Sequence, residues 1–169
     1  HFTDRRQRQM CIRDRNSETK LSQNFKLKEF EKSFVAKRKN IDNCVHDKET
    51  FKSLEKLCKN IVQPIRNYYK IPFSPNSGYR SITLNRYIGS SDTSQHVLGQ
   101  AVDLEIPRVS NQDLFDYVKN QLNFDQVILE YYDGVNPSSG WVHISYVSDK
   151  DNRNRAMTFD GTHYRIVEE

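Results

Sequence analysis

The stretch Ser94-Gln95-His96-Val97-Leu98-Gly99-Gln100-Ala101-Val102-Asp103-Leu104-Glu105-Ile106 decides how this chain is read. Its second half alternates. Val102, Leu104 and Ile106 fall on one face of an extended strand, and Ala101, Asp103 and Glu105 fall on the other. That is the pattern of a strand with one side in a core and one side lining a cleft. Gly99 lies between an imidazole and a carboxylate, so a turn there can bring His96 and Asp103 together. Small residues at 99 and 101 leave room for backbone and ligand to approach closely. A carboxylate in such a place wants a cation.

A second stretch, Gly140-Trp141-Val142-His143-Ile144-Ser145-Tyr146, repeats the alternation, with His143 and Ser145 opposite Val142, Ile144 and Tyr146. Two histidines and one carboxylate are a recurrent ligand set for catalytic zinc, which leaves a fourth position open and holds its ligands at about 2.0 to 2.2 Å. On the residues alone, a zinc centre and a group of hydrogen-bonded structural side chains are both admissible.

Outward from these two stretches, residues 101–106, 126–132 and 141–147 read as strands, and Asp160-Gly161 as the turn of a terminal hairpin. Between the first two strands, Ser110-Asn-Gln-Asp113 resembles a capping box opening a helix that buries Leu114, Phe115, Val118 and Leu122. Upstream, Leu27, Phe30 and Phe34 are spaced to cover one side of a short helix. A longer helix follows, with Phe51, Leu54, Leu57, Cys58, Ile61, Ile65 and Tyr68 as its apolar stripe and Pro64 set to kink or end it. Beyond Pro72 the remaining runs up to the 110s look β-like. Helices first and strands afterwards predict an α+β fold with a mainly antiparallel sheet flanked by helices.

The chain has 169 residues, enough for one ordinary domain. No apolar stretch approaches the roughly 18 to 20 residues needed to cross a bilayer, and no signal peptide is visible. The three cysteines, Cys11, Cys44 and Cys58, form an odd set without C-x-x-C, which argues against a disulfide scaffold or a cysteine-built zinc finger. A net charge of +4 hides an asymmetry: residues 20–70 hold thirteen basic and six acidic side chains, and residues 71–169 hold eight and thirteen. The basic half admits attraction to an anionic polymer, but a solvated lysine-rich face explains it more simply. No aromatic platform interleaved with basic residues points to nucleic acid. Residues 1–16, with five arginines and no structural period, are set aside as a disordered or non-native leader, the alternative being a basic arm. Residues 17–169 then form a single domain. Asn152-Arg153-Asn154-Arg155 reads as a solvated turn, and Tyr68-Tyr69 and Tyr131-Tyr132 as core or cleft wall.

From Leu21 to about Met157 the chain resembles the zinc D-Ala-D-Ala carboxypeptidase family, especially its phage and bacterial peptidase domains. The ordered signposts are Leu21-Ser22, Pro64-Ile65-Arg66, Ser77-Gly78-Tyr79-Arg80-Ser81, Leu84-Asn85, Ser94-x-His96-x-x-Gly99-x-Ala101-x-Asp103, Phe124-Asp125-Gln126, Glu130 and Gly140-Trp141-Val142-His143. The resemblance implies the fold shared with Hedgehog and lysostaphin-type enzymes, a single zinc ion held by His96, Asp103 and His143, and cleavage of peptidoglycan stem or cross-link peptides, as a carboxypeptidase or an endolysin-like enzyme acting at the cell wall or in the periplasm. It makes Arg80 the arginine that holds substrate and developing negative charge, a task suited to a guanidinium with fixed donors; a surface ion pair is the plainer role. Tyr79, Ser94, Gln126, Trp141 and Ser145 join Arg80 as expected substrate contacts. A monomer is expected.

One departure stands out. Many family members carry an acid three residues before the last histidine, and here that position is Gly140. Glu130, on the cleft face with Gln126 and Ile128, is the expected general base, and Asp133 is the runner-up. If neither serves, the chain is a zinc-binding cell-wall or virion module with little hydrolysis.

Overall fold

Alternation in the central segment builds β1, Ala101–Leu104, whose Val102 and Leu104 point into the core while Asp103 faces the other way. The computed structural model describes residues 18–168, so the leader expected at 1–16 lies outside the described residues. Four more strands follow: β2 (Gln126–Glu130), β3 (Trp141–Ser145), β4 (Arg155–Phe159) and β5 (Tyr164–Ile166). They form one sheet in the order β1-β3-β2-β4-β5. The pairs β1/β3, β3/β2 and β4/β5 are antiparallel, and β2/β4 is parallel. The mixed α+β class with a mainly antiparallel sheet is therefore seen, with one parallel pairing that the hairpin signals did not reveal.

Two short helices, α1 (Leu27–Glu31) and α2 (Phe34–Lys39), stand where a single one was expected. Lys32 is extended, and the Ser33 hydroxyl caps a fresh start by accepting from Ala36 N. Phe34 is thereby thrown off the face of Leu27 and Phe30 and is 79% exposed, which corrects the expectation that the three cover one side of a single helix. The long helix is also segmented: α3 (Lys48–Leu57), a π-helical turn (Cys58–Val62) and α4 (Gln63–Tyr69) run on without a break. Pro64 has no N–H for the Asn60 carbonyl and its ring would strike it in a regular helix, so the wider turn just upstream admits the proline without ending the helix. The apolar stripe survives the change of pitch: Leu54, Leu57, Ile61 and Ile65 are fully buried.

Helix α5 (Ile82–Tyr87) was not anticipated in a region read as β-like. Its signal was Ser81, whose hydroxyl accepts from Leu84 N. Helix α6 (Asn111–Gln121) begins as expected, with the Ser110 hydroxyl accepting from Asp113 N, and buries Leu114, Phe115 and Val118. Leu122, expected on that buried side, is the half-buried C-cap residue. One hydrophobic cluster joins α1, α3, the π turn, α4 and α6 to Val102, Val127, Leu129, Val142 and Ile144 of the sheet. Each large side chain so buried is worth about 1.5 to 3 kcal/mol. Cys58 is a buried free thiol whose pKa burial pushes up to about 12. Among the described residues no helix is long and apolar enough to cross a membrane. The opposite face of the sheet is left to line a cleft.

Candidate metal centre

Asp103 and His143 are cross-strand partners in the β1/β3 register, so their side chains emerge side by side from one face. His143 Nδ1 lies 2.9 Å from Asp103 Oδ1. His96 arrives from the turn-rich segment before β1 and is held by a splint of extended backbone at 76–80. On one edge the splint pairs with β1: Asp103 N donates to Ser77 O at 2.8 Å, and Asn76 N donates to Asp103 O at 2.9 Å. On its other edge Arg80 N donates to His96 O at 3.1 Å, and His96 Nδ1 sits 2.7 Å from Gly78 O. Position 78 must be glycine for this splint to lie so close to α1, since a Cβ there would meet Phe30 O at 2.7 Å.

The Gly78 carbonyl can only accept, so Nδ1 of His96 carries the proton and Nε2 presents its lone pair. That lone pair faces Asp103 Oδ1 at 3.4 Å. Burial pushes His96 below the ordinary imidazole range, although Asp103 pulls the other way. Burial also opposes ionisation of Asp103, but the two imidazoles outweigh it and hold the carboxyl well below the usual carboxylate range. Two acceptors at that separation repel unless a proton or a metal cation lies between them. Together the three side chains offer ligand atoms that all lie within 4.8 Å of one another. Ligands bound to one tetrahedral zinc at the usual bond lengths lie about 3.3 Å apart. The His96–Asp103 separation already suits such an ion, and the shorter His143–Asp103 contact has only to open slightly. The donor set, two nitrogens and one carboxylate oxygen, is that of a zinc site with an open position.

Arg80 NH2 approaches Asp103 Oδ2 at 3.9 Å, and its buried Nε has no hydrogen-bond partner among the described residues. Its guanidinium donors are therefore not used up by an ion pair. Glu130 shares the cleft with the trio. Burial raises its pKa above the ordinary glutamate value; Asp103 acts in the same direction, while His143 and Arg80 oppose. The cleft has a volume of about 1600 Å³.

Of the expected substrate contacts, Tyr79, Arg80, Ser94, Gln126 and Trp141 all line this cleft. Ser145 does not. It shares the strand face of His143 but is fully buried at the far end, where its hydroxyl accepts from Gln126 N at 3.0 Å. Alternation told the face, not the depth. Asp133 is a turn residue whose Oδ1 accepts from Val135 N, Asn136 N and the Ser139 hydroxyl, and it is not on the cleft wall. Gly140 has φ +67, and a Cβ there would overlap Glu130 O at 1.8 Å. No side chain, acidic or otherwise, fits in that position. Tyr68 lies on the surface, stacked on Tyr117 at 4.1 Å, and Tyr132 packs on the core, whereas Tyr131 lines the cleft.

Two features escaped the sequence reading. Arg153 is exposed as expected but does more than face solvent: its guanidinium grips the buried Asp125 at 2.6 and 2.8 Å, and Asp125 also takes Gln95 Nε2 at 2.9 Å. The splint carbonyl of Gly78 left no residue-type signal at all. In comparisons with known proteins, the family profile described as Peptidase M15 matches residues 23–145. No curated protein matches the chain.

Proposed function

The chain belongs to the Peptidase M15 family, and from that premise we propose that it is a zinc-dependent peptidase of the Hedgehog/DD-peptidase fold, one domain over 17–169, that cuts amide bonds in peptidoglycan stem or cross-link peptides. The observation that carries the zinc reading is geometric: His96 Nε2, with its tautomer set by Gly78, converges with Asp103 and His143 on one point of the cleft. In this reading His96, Asp103 and His143 hold the ion. Zinc, when bound, polarises a carbonyl and acidifies a water towards a pKa of about 7.

The remaining work falls to two side chains. Glu130, with its pKa raised by burial, is suited to take a proton from the attacking water and give it to the leaving amine. Arg80 offers fixed donors to a substrate carboxylate or to the oxyanion of the tetrahedral intermediate. Tyr79, Ser94, Gln126 and Trp141 supply cleft surface around them.

The test is digestion of purified muropeptides by the wild type, Glu130→Gln and His96→Ala, with release of new amine as the readout. The wild type is expected to release amine, to stop when treated with a chelator, and to recover with added zinc, and both variants to fall to background. Full cleavage by metal-free protein overturns the zinc reading. Binding to cell walls by all three proteins without new amine from any assigns the chain instead to a non-catalytic wall-binding role.

A further inference from the structure

We propose that Tyr131, Trp141, Phe159 and Tyr164 form a subsite for an N-acetylated sugar of the glycan strand, which sets the glycan end of the substrate beside Glu130; the proposal rests on the peptidase reading above. The strand registers place Trp141 opposite Glu130, Glu130 opposite Phe159, and Phe159 opposite Tyr164. One row across four strands therefore reads Trp-Glu-Phe-Tyr on the cleft face. Phe159 and Tyr164 stack at 4.3 Å, and Tyr131, immediately after Glu130, packs 5.6 Å from Phe159 and 5.0 Å from Trp141. Gly161 seats that ring, since a Cβ there would meet Tyr131 Cε1 at 2.8 Å. Tyr131 is 47% exposed and Tyr164 59%, and all four rings line the same cleft as the His96, Asp103 and His143 trio.

The wall is amphipathic. Its ring faces are apolar, the Trp141 N–H is turned to Glu130, and among the described residues neither the Tyr131 nor the Tyr164 hydroxyl has a hydrogen-bond partner. A pyranose has the matching form, with C–H groups over its face and hydroxyl and acetamido groups round its rim, and a phenol can donate to or accept from that rim. A peptide is served less well. The row crosses β3, β2 and β4, each paired on both sides, so their backbone groups are already spent and amides laid over the rings find no partners. Charge divides the cleft in the same sense. A stem peptide carries free carboxylates, and one placed on this row would meet Glu130 and no cation. The cations that line the cleft stand elsewhere: Arg80 on the splint, Lys32 between α1 and α2, and Arg153 ahead of β4. The sugar that bears the stem is neutral, because its carboxyl is consumed in the amide to the peptide. Phe159 and Tyr164 lie beyond residues 23–145, so half of the wall is built by chain outside the family match.

The chain's single tryptophan, Trp141, reports occupancy of the wall by its fluorescence. Two ligands would be titrated into chelator-treated protein: a purified disaccharide-tetrapeptide, and the same tetrapeptide carrying only a lactyl group at its amino end. Amine release from both would then be measured with zinc-loaded protein. The disaccharide form is expected to bind about tenfold more tightly. Tyr164→Ala should cut that gain to less than about threefold, and Tyr164→Phe, which keeps the ring, should retain more of it. Equal affinity of the wild type for the two ligands overturns the subsite, as does a gain untouched by Tyr164→Ala or lost equally in the Ala and Phe variants. A sugar gain with no amine released by the zinc-loaded protein supports the subsite and sinks the peptidase reading. Amine released from both ligands at equal affinity sinks the subsite and leaves the peptidase reading standing.

Discussion

Gly140 carries no side chain because the Glu130 carbonyl occupies the space where one would begin. Placing a Cβ there adds a left-handed backbone penalty of about 1 to 2 kcal/mol to the overlap itself. Gly140→Ala should therefore lower stability by at least about 2 kcal/mol, measured by urea unfolding; a loss under about 0.5 kcal/mol would mean that β2 and β3 separate more easily than their pairing shows. The same contact keeps any acid off position 140, and in the proposed mechanism the general base is Glu130 instead. Glu130→Gln keeps the shape and loses the proton acceptor, so kcat should fall about 10² to 10⁴-fold with zinc content, read by metal analysis, unchanged. Unaltered kcat would pass the role to another group. At this scale the cluster of His96, Asp103 and His143 was legible, since each combines a strand face or a turn with a donor that could hold a metal. The misplacement of Ser145 shows the limit, because a period of two assigns a side but says nothing about how far along the cleft a strand remains open.

Asp125 ties four elements into one frame: the segment carrying His96 through Gln95, the start of β2, the end of β3 through Ser145, and the approach to β4 through Arg153. Burial works against its charge, yet the hydrogen bonds from Arg153 and Gln95 prevail and bring its pKa down to about 2. An unfolded aspartate titrates near pH 3.9. The folded value is the lower, so the ionised carboxylate stabilises the protein fully above that pH, and the contribution drains away as pH falls from about 4 towards 2. Asp125→Asn should cost about 2 kcal/mol near pH 7 and much less near pH 2 to 3, tested by denaturant unfolding at both. An equal penalty at both pH values would indicate that packing, not charge, is what Asp125 supplies. Elements with a strong period were readable: the stripe of α3 and α4 persists through Pro64, and the Ser110 cap is where its sequence places it. The parallel β2/β4 pairing was not, because a long excursion over residues 131–154 separates the partners and no local turn chemistry encodes it.

Across the whole molecule, the trio fastens the helical and sheet portions together, since His96 hangs on the splint that packs against α1 while Asp103 and His143 belong to the sheet. A metal bound only by the folded chain stabilises it by about 2.7 kcal/mol at a hundredfold excess over its Kd. For a chain of this size that is a rise in Tm of about 5 to 10 °C. Zinc should produce such a rise in the wild type and none in His96→Ala; a Tm indifferent to both zinc and chelator would argue against a shared ion. The fold class was readable from the order of segments, whereas the row Trp141, Glu130, Phe159 and Tyr164 across β3, β2, β4 and β5 came only from strand registers that link residues far apart in the chain. That row has a consequence for biosynthesis. The ribosome delivers all three candidate ligands and Glu130 by residue 143, and Phe159 and Tyr164 emerge afterwards, so a nascent chain holds every member of the candidate centre before the far wall of its cleft exists.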